Sequence, residues 1–175
     1  MAEVIKTGIL KGREVLELIS DYLNTRNCDT LEDIIFKCIC TKGEYVSEDE
    51  FDTGKRKLLN LGHTIGHAIE KCTGYGITHG EAVAIGINLI TDMSEKHEGL
   101  PEEERNLIRN ILIKTALQLE IPSNISLENL MDAILLDKKI KNDDIDAIMI
   151  KRIGECCIKR MAVDDLKSYL KYYME

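Results

Sequence analysis

The sequence predicts an all-α domain with one small β-hairpin near the C-terminus, and three observations support this fold class. Apolar residues recur at helical spacing through most of the chain, so most segments present an apolar stripe. A strand-like pattern covers residues 145–153, and residues 155–163 can return beside it across Gly154. The length of 175 residues and the hydrophobic content of 44% suit a single core, so we expect one domain over residues 1–175.

Apolar stripes and a capping residue predict the first three helices. Residues 2–10 are compatible with a helix, although no capping residue precedes them. After Gly12, an apolar stripe predicts a second helix that ends near Asn24. Thr30, with Asp33 three residues later, is typical of a helix start and predicts that the third helix begins there.

The central helices follow an acidic stretch. Residues 42–54 carry five acidic side chains, and such a run usually faces water. A long helix is then predicted over residues 54–73, with Gly74 as its C-terminal cap. The next helix, about residues 79–97, is apolar nearly all round, so we expect it in the middle of the domain.

The C-terminal third contains three further helices around the predicted hairpin. Pro101 and the three glutamates after it favour a helix start, and this helix is expected to run to about Leu119. The dipeptide Ile121-Pro122 interrupts the pattern, and residues 126–137 form the next predicted helix. The last dozen residues are also predicted to be helical.

The composition argues against several functional classes. A net charge of −8 and a pI near 5.1 disfavour nucleic acid as a partner, because phosphate backbones select clustered Lys and Arg. The 6 cysteines show no CxxC pairing, which favours reduced thiols over disulfides or a cysteine metal site. No apolar run reaches 18 residues and no secretory leader opens the chain, so we expect a cytoplasmic protein without membrane association.

The stretch Arg56–Glu81 contains three of the four histidines. His63 and His67 stand four residues apart in a predicted helix, and His79 begins the next one. Two histidines at this spacing and a third from a neighbouring element can form an open three-ligand zinc site. Spacing alone therefore selects His63 and His67 as the metal pair.

The motifs LNLGHTIGHAIE and HGEAVAIG resemble those of 3-dehydroquinate synthase, which closes the carbocycle of the shikimate pathway. The N-terminal AEVIKTGIL is similar to the metal-ligand helix of that family, and Asp137-Lys138-Lys139 is similar to its late lysine motif. The resemblance extends from residue 2 to the region of Gly154. It does not cover the N-terminal half of the family, which carries the NAD-binding domain.

The resemblance implies a different metal site from the one that spacing selects. In the family, the ligands are the Glu of AEVIK, the first His of GHTxGH and the His of HGEA. These correspond here to Glu3, His63 and His79, which would bind Zn²⁺ or Co²⁺. His67 then becomes a neighbour of the substrate rather than a ligand.

The resemblance also implies an anion-binding pocket. Lys42 and Arg56 resemble the residues that hold the substrate carboxylate, and Asn60, His67 and one lysine of Lys138-Lys139 resemble the phosphate contacts. His67, Asn60 and Lys6, which lies one turn from Glu3, are the expected catalytic residues. Where the family usually has Glu, this chain has the shorter Asp52, so any contact of that side chain with the substrate or a lysine requires a different spacing or a bridging water.

The implied reaction converts 3-deoxy-D-arabino-heptulosonate 7-phosphate to 3-dehydroquinate and phosphate, with NAD as hydride carrier. No glycine-rich G-x-G-x-x-G turn after a strand is found, so NAD residues are unassigned and the chain alone is expected to be inactive. The expected partners are an anionic small-molecule substrate, the N-terminal NAD-binding half and a second copy in a homodimer. Two alternatives remain, namely a sister sugar-phosphate cyclase or metal-dependent polyol dehydrogenase, and a non-catalytic metal-binding or dimerisation module.

Overall fold

The computed structural model of the chain describes residues 1–137 and 144–174. Eight helices and one hairpin are present in that part of the chain, which confirms the predicted fold class. The helices are α1 Ala2–Lys11, α2 Arg13–Thr25, α3 Cys28–Glu48, α4 His63–Cys72, α5 His79–Glu98, α6 Glu102–Lys114, α7 Leu127–Asp137 and α8 Val163–Met174, with a 3₁₀ helix at Lys55–Asn60 and strands β1 Asp144–Arg152 and β2 Glu155–Ala162.

Helix α5 is the centre of the core, as its apolar composition predicts. Every residue from Ala82 to Ser94 is buried, and the helix contacts α1, α4, α6 and β1. A capping box fixes the start of α5. The Thr78 hydroxyl accepts a hydrogen bond from the backbone N–H of Glu81, and the Glu81 carboxylate accepts a hydrogen bond from the backbone N–H of Thr78. Within the described residues, no helix is long and apolar enough to span a bilayer.

The hairpin covers one side of α5. Strands β1 and β2 pair antiparallel, with Asp144 opposite Ala162, and Gly154 makes the turn at a φ of 91°. Several hydrogen bonds attach the hairpin to the helices, and they include two from backbone N–H groups near the core. The backbone N–H of Ile150 donates to Oγ of Ser94 at 2.9 Å, and that of Gly154 donates to the carbonyl of Ile9 at 2.8 Å. All six cysteines are free, as expected.

The prediction of one long helix over residues 54–73 is wrong. The segment forms the short 3₁₀ helix, turns at Leu61 and Gly62, and resumes as α4 at His63. Gly62 has a left-handed φ of 77°, and its carbonyl oxygen lies against Cα of Gly86 in α5, where no side chain would fit. This close packing of two backbones breaks the helix immediately before its first histidine.

Two helix boundaries also differ from the prediction. Helix α3 begins at Cys28 rather than Thr30, because the side chain of Asn27 accepts a hydrogen bond from the Asp29 N–H at 2.7 Å and acts as the cap. Helix α6 ends at Lys114 rather than near Leu119, and the chain reverses at a left-handed Ala116 with a φ of 56°. The start of α3 is therefore set by a local side-chain cap that lies three residues before the predicted one.

Candidate metal and substrate site

Three side chains from three helices converge at one end of the domain. Glu3 lies in the first turn of α1, whereas His63 and His79 are the first residues of α4 and α5. Oε1 of Glu3 is 3.2 Å from Nε2 of His63 and 3.7 Å from Nε2 of His79. Zinc bond lengths imply about 3.4 Å between neighbouring ligand atoms of a tetrahedral site. The observed separations are close to that spacing.

The hydrogen bonds of the histidines also suit a cation. Nδ1 of His63 lies 3.1 Å from the carbonyl oxygen of Leu61, and Nδ1 of His79 lies 3.2 Å from Oε1 of Glu70. Both ring nitrogens of each histidine therefore face an oxygen, but a neutral imidazole has only one N–H to donate. If Nδ1 carries the proton, both Nε2 lone pairs face Glu3, and a metal ion placed between them would satisfy all three groups.

Glu3 is ionised at neutral pH. Burial raises the pKa of its carboxyl group, but hydrogen bonds from His63 and Lys6 outweigh that effect and hold the pKa at about 2. Nζ of Lys6, which is almost fully buried, donates to Oε2 of Glu3 at 2.7 Å. Lys6 thus holds one carboxylate oxygen and leaves the other facing the histidines.

The structure does not bring the His63–His67 pair into a common ligand set. Their rings meet edge to face with centroids 5.4 Å apart. Among the described residues, the groups whose donor atoms all lie within 4.8 Å of one another are Glu3, His63 and His79, and His67, Glu70 and His79. The set implied by the family resemblance is therefore the one that the fold assembles around Glu3.

A cavity of about 530 Å³ adjoins the Glu3–His63 pair. Its lining contains the predicted residues Lys6, Lys42, Asp52, Arg56 and Asn60. Three of these are cationic, in a chain whose net charge is −8, so the basic residues are locally concentrated. His67 is half-buried and lies outside the lining, beside His63 and His79. The predicted Lys138 and Lys139 lie outside the described residues.

Asp49 organises the turn that carries Arg56, and sequence reasoning missed it. Its carboxylate accepts hydrogen bonds from the backbone N–H groups of Thr53, Gly54 and Arg56 at 2.8–3.0 Å. These N–H groups, with that of Gly54 first, hold the pKa of Asp49 below its ordinary value. An Asp followed by a turn-forming Asp-Thr-Gly sequence was the available signal.

The turn also explains the placement of Arg56 and Asp52. Nη1 of Arg56 donates to the Glu50 carbonyl at 2.8 Å, which orients the guanidinium group. Asp52 adopts a left-handed φ of 55°, a conformation that Asp tolerates better than most residues. Both side chains reach the cavity from one short turn, so its shape depends on the Asp49 hydrogen bonds.

The fold and site define a class of protein. A solved structure of 2-deoxy-scyllo-inosose synthase, complexed with carbaglucose-6-phosphate, NAD⁺ and Co²⁺, superposes with a TM-score of 0.83 at 27% identity, over 99% of this chain and 50% of that one. The 2-epi-5-epi-valiolone synthase of Streptomyces hygroscopicus, with NAD⁺ and Zn²⁺ bound, has a TM-score of 0.83 at 17% identity, over 98% of this chain and 49% of that one. The latter likeness concerns the fold alone. The helical domain is thus of the sugar-phosphate cyclase type.

Sequence comparison specifies the family. The family model described as 3-dehydroquinate synthase C-terminal matches residues 1–140, and the chain belongs to that family. A 3-dehydroquinate synthase of Clostridium kluyveri is 36% identical over 172 residues, which are 97% of this chain and 48% of the relative. The chain spans about half the length of the curated relatives that it matches.

Proposed function

We propose that this chain is the metal- and substrate-binding part of a 3-dehydroquinate synthase, a carbon–oxygen lyase that forms 3-dehydroquinate and phosphate from 3-deoxy-D-arabino-heptulosonate 7-phosphate. One observation carries the proposal. Glu3, His63 and His79 converge beside a cavity that Lys6, Lys42 and Arg56 line. A cation site next to a basic pocket suits a small substrate with several anionic groups and an alcohol to be activated.

The residues of this chain have separate tasks in the proposed reaction. Glu3, His63 and His79 would hold Zn²⁺ or Co²⁺. When bound, the metal would act as a Lewis acid and polarise the oxygen of the alcohol group that is first oxidised and later re-formed. Lys6 keeps Glu3 ionised and oriented through the 2.7 Å hydrogen bond between them. Its burial beside the cavity also excludes water from that side of the carboxylate.

Lys42 and Arg56 would bind the substrate carboxylate. A guanidinium group can donate two parallel hydrogen bonds to a carboxylate, and the contact of Arg56 with the Glu50 carbonyl leaves further N–H groups to make them. Asn60 and His67 would contact the phosphate, with a lysine of Lys138-Lys139. Removal of the proton next to the oxidised carbon then allows the C–O bond to phosphate to break, and the electron pair leaves with phosphate.

The hydride carrier belongs to another part of the proposed enzyme. When bound, NAD would accept a hydride from one carbon of the substrate and later return it, so the overall conversion would need no external oxidant. Two solved cyclases that resemble this chain have NAD⁺ bound. Each of those chains is about twice as long as this one. We therefore propose that NAD and an NAD-binding half complete the site. A homodimer and a cytoplasmic location remain predictions.

Exposed apolar residues on α3 suit contact with that half. Ile35, Phe36 and Ile39 are 49%, 67% and 66% exposed, and Ile39 also lines the cavity. Such adjacent apolar side chains on a surface are typical of an interaction site. We propose that a second domain packs on the α3 face, defined by these three residues, and there covers the adjoining cavity.

A sister cyclase is the second candidate, because 2-deoxy-scyllo-inosose synthase shares the fold at 27% identity. The presence of both Lys42 and Arg56 in the cavity lining favours the first candidate, since these cations suit a substrate with a carboxylate as well as a phosphate. Comparing turnover of a carboxylated and an uncarboxylated sugar phosphate separates the two candidates.

Phosphate release with NAD and Zn²⁺ present tests the proposed function. The chain alone should give no turnover, because the reacting groups must be held within a fraction of an ångström by both halves. Adding a separately produced N-terminal half of the Clostridium kluyveri relative should restore phosphate release. Turnover by the chain alone would contradict the two-part site. Metal binding without turnover in the combined sample would instead support a non-catalytic module.

A further inference from the structure

Glu70 is a largely but not fully buried carboxylate that the proposed reaction does not use. It lies in α4, and its side chain is 13% exposed. Oε1 of Glu70 is 3.2 Å from Nδ1 of His79, the first residue of α5. A carboxylate with so little exposure requires a polar partner, and the imidazole supplies one.

The two contacts of His79 determine which nitrogen carries its proton. Nδ1 faces Glu70 at 3.2 Å, whereas Nε2 faces Oε1 of Glu3 at 3.7 Å. A neutral imidazole donates its one N–H to the nearer and better placed acceptor. These distances favour the Nδ1–H tautomer, in which the Nε2 lone pair would point toward Glu3 and the candidate metal position.

His79 needs this constraint more than His63 does. The side chain of His63 is 11% exposed, and its Nδ1 lies 3.1 Å from the Leu61 carbonyl. The side chain of His79 is 48% exposed, so packing restricts it less. In addition, His79 lies at the positive end of the α5 dipole, which disfavours a nearby cation, and the charge of Glu70 offsets that effect.

We propose that Glu70 is a positioning residue that holds His79 in the tautomer and orientation needed to ligate the metal. The inference rests on the metal site proposed above and deepens it. A carboxylate that accepts the second N–H of a ligating histidine also raises the basicity of the ligand nitrogen. Loss of such an outer partner typically lowers metal affinity about 10- to 100-fold.

Calorimetric titration of the 175-residue chain with Co²⁺ tests the proposal. Glu70→Ala should raise the dissociation constant about 10- to 100-fold. Glu70→Gln should recover part of the loss, because its amide oxygen can still accept the Nδ1–H bond without the charge. Glu81→Gln is the matched control. Glu81 lies in the first turn of α5, as His79 does, but its carboxylate accepts a hydrogen bond from Thr78 and does not contact His79 through any described hydrogen bond. Far-UV circular dichroism verifies that each variant is folded.

A second readout is independent of metal. Long-range ¹H–¹⁵N NMR of the metal-free chain at pH 8 should show His79 as the Nδ1–H tautomer in the wild type. Glu70→Ala should shift it towards the Nε2–H form, whereas Glu81→Gln should leave it unchanged. A purely structural role of Glu70 would not produce this tautomer change.

The outcomes separate this inference from the metal site itself. A wild-type chain that binds no Co²⁺ would overturn the metal site. Wild-type binding with an unchanged Co²⁺ affinity in Glu70→Ala would overturn only the role of Glu70. Two ions per chain would make Glu70 a ligand of a second ion with His67 and His79, and would contradict the positioning role. Equal losses in Glu70→Ala and Glu81→Gln would indicate a general charge effect and contradict it too.

Discussion

The two carboxylate oxygens of Glu3 have different neighbours, and this difference makes Glu3 suited to bind a metal. Oε2 accepts the Lys6 hydrogen bond at 2.7 Å, and Oε1 faces both Nε2 atoms. The nearly buried lysine thus compensates the charge of the half-exposed Glu3 without occupying the oxygen that faces the histidines. In the proposed metal site, Glu3 would therefore bind the ion through a single oxygen.

Replacing a histidine ligand should abolish most metal binding. His63→Ala and His79→Ala should each weaken Co²⁺ binding by about 100-fold or more, because a lost ligand costs more than a lost outer partner. His67→Ala should change the Co²⁺ affinity by less than about threefold, because His67 is not a member of the Glu3, His63 and His79 ligand set. Calorimetric titration at constant pH measures all three. An equal loss in His67→Ala and His63→Ala would restore the pair that spacing selects.

At the scale of elements, α4 and α5 are held together by close contacts between glycines and backbone. A Cβ on Gly66 would lie 3.1 Å from the carbonyl oxygen of Ala82, and one on Gly86 would overlap the carbonyl of Gly62. These contacts bring His63 and His79, at the N-termini of the two helices, to a distance of 5.4 Å between ring centroids. Small residues at this contact are therefore a requirement of the site geometry.

Gly86→Ala should destabilise the chain by about 3 kcal/mol or more, because the new methyl group meets backbone that has no space to move. The matched control is Gly43→Ala in α3, where no atom lies within 4 Å of the added methyl group. That change should stabilise the helix by up to about 1 kcal/mol. Urea unfolding followed by circular dichroism compares the two. Similar effects of both substitutions would contradict the close packing of α5 on Gly62.

An ion pair connects the end of α5 to the hairpin. Nζ of Lys159 in β2 lies 2.5 Å from Oε1 of Glu98, and this hydrogen bond lowers the pKa of Glu98 below its ordinary value. A carboxyl group with a lowered pKa in the folded state stabilises the fold above its unfolded pKa of about 4.3. That contribution is lost as the pH falls through the folded pKa.

Glu98→Gln should therefore reduce the dependence of stability on pH. Between pH 7 and pH 3, the free energy of unfolding of the wild type should fall by about 1 kcal/mol more than that of the variant. The partial exposure of Lys159 limits the size of this difference. Glu155→Gln is the control, because its contact with Lys151 is 3.9 Å long and exposed. Urea midpoints at several pH values measure the difference. A parallel pH profile for the wild type and Glu98→Gln would rule out this role.

At the scale of the whole molecule, the exposed α3 face adjoins the cavity, so one domain contact could cover the face and close the site. Burying one large apolar side chain contributes about 1.5–3 kcal/mol. The three residues of the face are each about half exposed or more. Their burial would contribute substantially to the affinity of the two proposed halves.

The double variant Phe36→Ser, Ile39→Ser should weaken binding of the N-terminal half by at least about tenfold, because it removes two apolar contacts. It should also reduce any self-association of the isolated chain. Ile113→Ser is the control, since Ile113 is 57% exposed on α6 rather than on α3. Sedimentation and calorimetric titration measure the two effects. If Ile113→Ser weakens binding as much as the double variant, the α3 face is not the contact.

The sequence by itself determined the features that depend on local signals. The apolar composition of the helix predicted over about residues 79–97 indicated the buried central helix, and alternation around Gly154 indicated the hairpin. Long motifs around His63 and His79 indicated the family before any fold was known. Each of these features is encoded by neighbours along the chain, so periodicity or a motif is enough to find it.

Only the tertiary structure decided the features that depend on distant residues. The break at Gly62, before His63, depends on its close packing against Gly86, 24 positions later in the chain. Likewise, spacing favoured His63 with His67, whereas the fold joins His63 to Glu3 and His79 to Glu70. Helical spacing describes only one helix at a time. A metal-type ligand set drawn from three helices is fixed by how those helices pack, which a local pattern does not encode.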